Sequence, residues 1–261
     1  ILENSELAPD LCLTYLPTLD YELQRKNPDD ARAFSIVQKK VESQISRLTE
    51  AAVKRGYEIL IFGDYHIAPV DGAIFPNMAL REAGLMKVRR VKAMAYPDFY
   101  TSMAFTMVDH EIAHVYIRDV RDIPVVKEVL KNVPGVAELF DREAQRDLAI
   151  DHGNSGELII MAQEGKWLAY PWWRERCEAP DFAMHVDIHN KPGYDPCELF
   201  FGWPPGSVSM NTFRIKGSHG RVGPGREVVW ASTLSFPEKP SDLIELSRLV
   251  RSWLRNKKGR P

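Results

Sequence analysis

Two rhythms of apolar residues alternate along the chain. Asp10–Leu16 (DLCLTYL) is a mostly apolar run of strand length between Pro9 and Pro17, and it predicts a buried, parallel strand with Cys12 inside it. Phe34, Val37, Val41, Ile45, Leu48 and Ala52 then recur at three- and four-residue steps, which predicts a helix that opens at Asn27-Pro28-Asp29-Asp30 and stops at Gly56. Tyr57–Phe62 returns to strand character. The unit reads β-α-β, with Asp20 after its first strand and Asp64 and His66 after its second. In open α/β sheets, ligands bind beyond the carboxyl ends of the strands.

Further on, Ile74–Leu85 predicts a short helix closed by Gly84, and Val88–Met94 a strand with basic residues. Phe105–Ile117 finishes as a strand, Pro124–Asn132 and Gly135–Phe140 carry helical spacing, and Gly156–Ala162 with Lys166–Tyr170 predicts a hairpin turning at Glu164-Gly165. Thr212–Ile215 and Glu227–Ser232 predict short strands, and Ser241–Leu254 an amphipathic closing helix with Ser241 as its N-cap. Arg255–Arg260 reads as a solvated basic tail. The fold class expected is α/β, a mostly parallel central sheet flanked by helices. Residues 1–261 are expected to be a single domain, incomplete at its N-terminus, with an inserted subregion at 72–180.

Composition narrows the function classes. The 261 residues are 44% hydrophobic and 27% charged, ordinary for a globular chain. A net charge of −2 supplies no basic field for a nucleic-acid polymer. No apolar run approaches the roughly 20 residues of a membrane helix. Three cysteines without a CxxC are no disulfide framework, which favours a reducing, cytoplasmic setting. The chain opens at Ile1-Leu2-Glu3-Asn4 with no initiator Met and no signal-peptide pattern, as a piece of something longer would.

Asp20, Asp64, His66 and His219 all follow strand-like runs, and carboxylate and imidazole groups suit zinc and similar divalent ions. His185, Asp187 and His189 alternate, so in a strand they would share one face. Each has a plainer reading, since an Asp after a strand is often a turn residue or a helix cap. Asp109, His110 and His114 would reach metal spacing only on a helix, and the following HVYI run favours a strand and a structural role. Trp172 and Trp173 read as packing, and nothing marks Cys177 or Cys197 as a nucleophile.

The order of the short motifs resembles the alkaline phosphatase superfamily, in its type I phosphodiesterase/nucleotide pyrophosphatase branch. The matching stretches are Leu19-Asp20-Tyr21-Glu22-Leu23-Gln24, Gly63-Asp64-Tyr65-His66, Asn77–Met86 (NMALREAGLM), and Gly217-Ser218-His219 followed by Val228–Ser232. The resemblance implies a metal-dependent phosphodiesterase or pyrophosphatase. Its metal ligands would be Asp20, Asp64 and His219, with His189, Asp187 and His66 as further ones. Zinc is the expected ion and manganese the other. The substrate would be a small phosphate ester, nucleotide or phosphonate. Gln24 and Tyr65 stand where the family carries histidines. The family's attacking Thr, Ser or Cys would precede Ile1, in a missing N-terminal segment or on a second chain. Two alternatives stand beside this reading. One is a non-catalytic binding or scaffold relative with a degenerate metal site. The other is a hydrolase built around Asp187, His189 and Asp195.

Overall fold

The three-and-four rhythm holds where it is longest. In the computed structural model, which describes Glu6, Leu7 and residues 9–258, Ala31–Lys54 is one helix. Val37 is fully buried on its apolar stripe, Val41, Ile45 and Ala52 are half-buried, and Phe34 and Leu48 are exposed. Ile1–Ser5 and the end of the basic tail from Gly259 lie outside the described residues; Arg255–Lys258 continue the closing helix.

The chain divides into two compact units. The first takes residues 1–16, 39–66 and 224–261. Within it Leu60–Phe62 pairs antiparallel with Trp230–Ser232. The helix Leu243–Lys258 buries Leu246. Asp242, not Ser241, caps that helix: its Oδ1 accepts the Glu245 amide at 2.8 Å, while Glu245 Oε2 accepts the Ser241 amide at 2.8 Å. The expected strand Asp10–Leu16 does not form, and Leu11 and Leu13 are 51% and 83% exposed. An apolar run becomes a strand only where a neighbour takes its backbone groups, and none of the β-ladders includes this run. Cys12, expected inside a strand, is accordingly exposed.

The second unit takes residues 17–38 and 67–223. Its centre is a four-stranded sheet in the order Ala104–Asp109, Ile112–Ile117, Leu158–Ala162, Val136–Phe140, with every neighbour antiparallel. Helices Pro76–Glu82 and Ile123–Lys131 contribute Leu80, Val126 and Leu130 to the core that includes Val108, Val115, Leu158 and Ile160. Asn77 pins the first helix to the sheet, its Nδ2 donating to the Thr106 carbonyl at 2.9 Å and its Oδ1 accepting the Thr106 amide at 2.8 Å. Arg81 forks onto Glu178 at 2.9 and 3.0 Å. The Asn77–Met86 motif is therefore a structural clamp. Trp172 is fully buried and donates Nε1 to the Ala95 carbonyl at 3.0 Å, the packing role expected of it.

The α/β class holds, but the mostly parallel central sheet does not. The sheets are small and mostly antiparallel, and among the named strands described only Lys166–Leu168 with Gly72–Ile74 runs parallel. That pairing also replaces the expected hairpin, because Lys166–Leu168 leaves Leu158–Ala162 for a distant partner. Val136–Phe140 is a strand rather than a helix, since the edge of the sheet offers a ladder that outweighs its helical spacing. Thr212–Arg214 is a 3-10 turn rather than a strand. No helix among the described residues is long and apolar enough to cross a membrane.

Candidate metal centre

Asp20 is presented by a helix, not by a loop after a strand. Thr18–Arg25 places Asp20 in its first turn, where a carboxylate complements the helix dipole. One turn on, on the same face, Gln24 is fully buried and donates Nε2 to Asp20 Oδ1 at 2.7 Å. The strand Gly217–Ser218, paired to Ala68–Pro69, lies against this helix: the Lys216 amide donates to the Gln24 carbonyl at 2.8 Å. A Cβ on Gly217 would sit 2.4 Å from the Leu23 carbonyl oxygen, so only glycine permits the approach. The next residue but one is His219, whose Nε2 lies 3.9 Å from Asp20 Oδ1.

A third element closes on these two. The strands Ala104–Asp109 and Ile112–Ile117 are joined at His110-Glu111, with His110 at φ +60°. The Glu111 amide donates to the His219 carbonyl at 2.8 Å, and Glu111 Oε2 accepts the Arg221 amide at 3.0 Å. The His110 and His219 rings lie 3.7 Å apart, centroid to centroid. Tyr194 covers the other side of His110 at 4.6 Å. Its segment runs along Val108, exchanging Val108 N to Pro192 O at 3.1 Å and Tyr194 N to Val108 O at 3.0 Å. Gly193, at φ +112°, makes this possible, because a Cβ there would meet the Val108 carbonyl oxygen at 2.0 Å.

Burial sets the electrostatics of the cluster. It pushes His219 down to about 4, and burial with the adjacent His219 pushes His110 down to about 3. Both imidazoles are neutral at physiological pH, the form that binds metal. Burial first, then the Asp20 charge, raises the Tyr194 phenol, so it stays protonated. Three buried polar atoms here have no hydrogen-bond partner: His110 Nδ1, Gln24 Oε1 and Ser218 Oγ.

The other expected ligands belong to other segments. Asp64 and His66 belong to the first unit and are exposed beyond Leu60–Phe62, while the Tyr65 hydroxyl pairs with the Tyr15 hydroxyl at 2.8 Å. His185–His189 is not a strand. His185 makes one bridge to Ser207, and Asp187 then folds a turn, accepting the His189 and Asn190 amides at 2.9 Å each and Asn190 Nδ2 at 2.7 Å. Those bonds, Asn190's side chain foremost, pull the Asp187 carboxyl down to about 2. His189 is exposed. Asp195 is buried against Lys191 Nζ at 2.8 Å. The spacing that suggested three ligands on one face belongs to an Asx turn.

The family model for type I phosphodiesterase/nucleotide pyrophosphatase matches residues 1–195. The chain belongs to this family. No curated protein matches it by sequence. It is similar to solved structures of phosphonoacetate hydrolase from Sinorhizobium meliloti 1021 in complex with phosphonoacetate, at 16% identity and a TM-score of 0.43 over 87% of this chain and 46% of that one. It is also similar to human ectonucleotide pyrophosphatase/phosphodiesterase 5, at 15% identity and 0.39 over 57% and 37%. The murine counterpart in an inactive form with AMP gives 14% and 0.40 over 57% and 36%. The chain thus spans less than half the length of these relatives.

For this member of the phosphodiesterase family, the donor set can be tested against a metal. Among the described residues no group of three or more His, Cys, Asp or Glu side chains stands ready around one point. The second unit nevertheless offers a carboxylate, two neutral imidazoles and two unpartnered buried atoms able to ligate, His110 Nδ1 and Gln24 Oε1. Those donor types are ones divalent ions accept, but the side chains do not gather around one point. Sequence reasoning weighed His110 only in a helical cluster with Asp109 and His114 and set it aside as structural, and it missed Tyr194. The signal for His110 was a polar pair, His110-Glu111, between two alternating apolar runs, which marks a hairpin turn rather than one strand.

Proposed function

We propose that this chain supplies the metal-holding part of a phosphoric ester hydrolase acting on small phosphate diesters, nucleotide pyrophosphates or phosphonates. Asp20 and His219 hold a divalent ion, zinc or manganese; Asp64 and His66, which belong to the first unit, are kept as candidate ligands on the family resemblance alone. When bound, the ion stabilises charge on the transferring phosphoryl group. Asp187 and His189 are left out of the set, because the Asp187 oxygens serve their own turn. No residue of this chain is given the role of attacking group; that role falls to sequence outside it or to a second chain. The exposed thiols of Cys12 and Cys177 suit a reducing, cytoplasmic setting.

The observation that carries this reading is the meeting of Asp20 and His219, from opposite ends of the second unit's sequence, beside buried atoms without partners. The test is elemental analysis of the natural full-length protein, followed by hydrolysis of bis(p-nitrophenyl) phosphate before and after chelation. Bound zinc or manganese, and loss of turnover on its removal, are expected. Undiminished hydrolysis by metal-free protein would reject the proposal.

A specific observation favours a second reading, a non-catalytic relative. At the two positions where the family resemblance places histidines, Gln24 bonds Asp20 and Tyr65 bonds Tyr15. Protein that retains no stoichiometric metal and is inert towards diesters would select it.

A further inference from the structure

We propose that the loop 200–216 of the second unit is a docking surface for an anionic lipid bilayer, with Phe201, Trp203 and Phe213 entering the bilayer interface and the neighbouring basic side chains meeting the headgroups. Phe201, Trp203 and Phe213 are 74%, 87% and 72% exposed. A single exposed apolar residue is ordinary, whereas a contiguous group of them marks a contact surface. These are contiguous. Single bridges join His185 to Ser207 and Phe201 to Val208, and the Val208 amide donates to the Met184 carbonyl at 2.8 Å. Three short segments therefore lie side by side, and Val186 and Ile188 on the first of them are exposed as well. The Thr212–Arg214 turn is tied to the same group, because the Arg214 guanidinium lies over the Phe200 ring, 4.1 Å from its centroid.

The tip is fixed by its own backbone. The Gly202 amide donates to the Ser207 carbonyl at 2.8 Å, the Ser207 amide to the Pro204 carbonyl at 3.0 Å, and the Ser209 amide to the Phe200 carbonyl at 3.1 Å. With Pro204 and Pro205 inside this turn, little backbone freedom is left to lose on docking.

Charge selects the occupant. Residues 199–223 contain no Asp or Glu and carry Arg214, Lys216 and Arg221. Trp and Phe favour the boundary between water and hydrocarbon, and basic residues beside them are drawn to anionic headgroups. A nucleic-acid polymer needs a wider basic field than three cations on a chain of net charge −2. A neutral protein face would gain nothing from the basic residues. The surface uses none of Asp20, Gln24 and His219, so it stands or falls apart from the metal reading.

The test is co-sedimentation of the full chain with vesicles of phosphatidylcholine, alone or with phosphatidylserine added. Binding is expected to the vesicles that contain phosphatidylserine, weakening as salt is raised and lowest on phosphatidylcholine alone. Phe201→Ser combined with Trp203→Ser should weaken it by about 10-fold or more. Lys216→Gln should weaken it about 5-fold, on the anionic vesicles only. Trp203→Phe should keep the binding and lose the blue shift of tryptophan emission that vesicles produce in the wild type. Each of these side chains is exposed, so the fold is kept, and circular dichroism checks that it is. Wild-type protein left in the supernatant with both vesicles would overturn the proposal, as would a Phe201→Ser/Trp203→Ser protein that binds as tightly as the wild type. Absence of vesicle binding together with self-association that Trp203→Ser abolishes would assign the surface to a second copy of the chain instead.

Discussion

Two histidine-bearing regions of the second unit make opposite use of similar residues. His185–His189 shows its pattern openly, yet His189 is exposed and the Asp187 oxygens are saturated by the two amides and one side chain that follow. His110 and His219 are far apart in sequence and share no local spacing, yet their rings touch, both are neutral, and one carries an unpartnered nitrogen. Ligand capacity depends on what else claims a lone pair, and local spacing does not reveal that. A short Asp-x-His run can satisfy itself by turning back on its own backbone. A residue locked on a sheet turn cannot.

The segment between the two regions is where the contrast is most easily broken. Lys191, 1% exposed, bonds Asp195 at 2.8 Å and Glu198 at 2.7 Å, and Glu198 also accepts the Asp187 amide. Lys191→Met leaves two carboxylates against apolar surroundings and should cost about 3–5 kcal/mol in chemical denaturation, loosening both the turn and the path to Tyr194. Gly193→Ala forces a Cβ onto the Val108 carbonyl and should cost about 2–4 kcal/mol. It should also free the Val108 and Tyr194 amides to hydrogen exchange while leaving Asp187 in its turn. In metal retention after dialysis, His219→Asn should lose most bound ion and His189→Asn none; equal losses would erase the distinction between the regions.

The smallest effect is acid titration of the turn. The Asp187 carboxyl is held at about 2 in the folded chain against an ordinary 3.8. Its contribution to the turn is therefore complete above the ordinary value and lost as pH falls through about 2. Carboxyl NMR should find that midpoint, and Asn190→Ala should move it back towards 3.8. A midpoint already at the ordinary value in the wild type would return Asp187 to the pool of available ligands.

Elements that satisfy themselves locally were legible in advance: the helix Ala31–Lys54 and its stripe, the helix Pro76–Glu82 with its glycine stop, the helix Ile123–Lys131, and the buried tryptophan pair. Elements that need a distant partner were not. Asp10–Leu16 had the composition of a buried strand and found no ladder, Val136–Phe140 had helical spacing and was claimed by the sheet edge, and Lys166–Leu168 paired with Gly72–Ile74 instead of its sequence neighbour.

The same division runs through the site. By itself the sequence determined the family, the longer helices Ala31–Lys54, Ile123–Lys131 and Leu243–Lys258, and the identity of Asp20 and His219 as candidates, because short motifs in order and hydrophobic period are properties of the chain alone. Only the tertiary structure decided that Asp187 belongs to a turn and that His110 lies on His219. Both depend on which backbone groups meet across the sheet, and on whether the glycines at 193 and 217 let segments approach closer than any side chain allows.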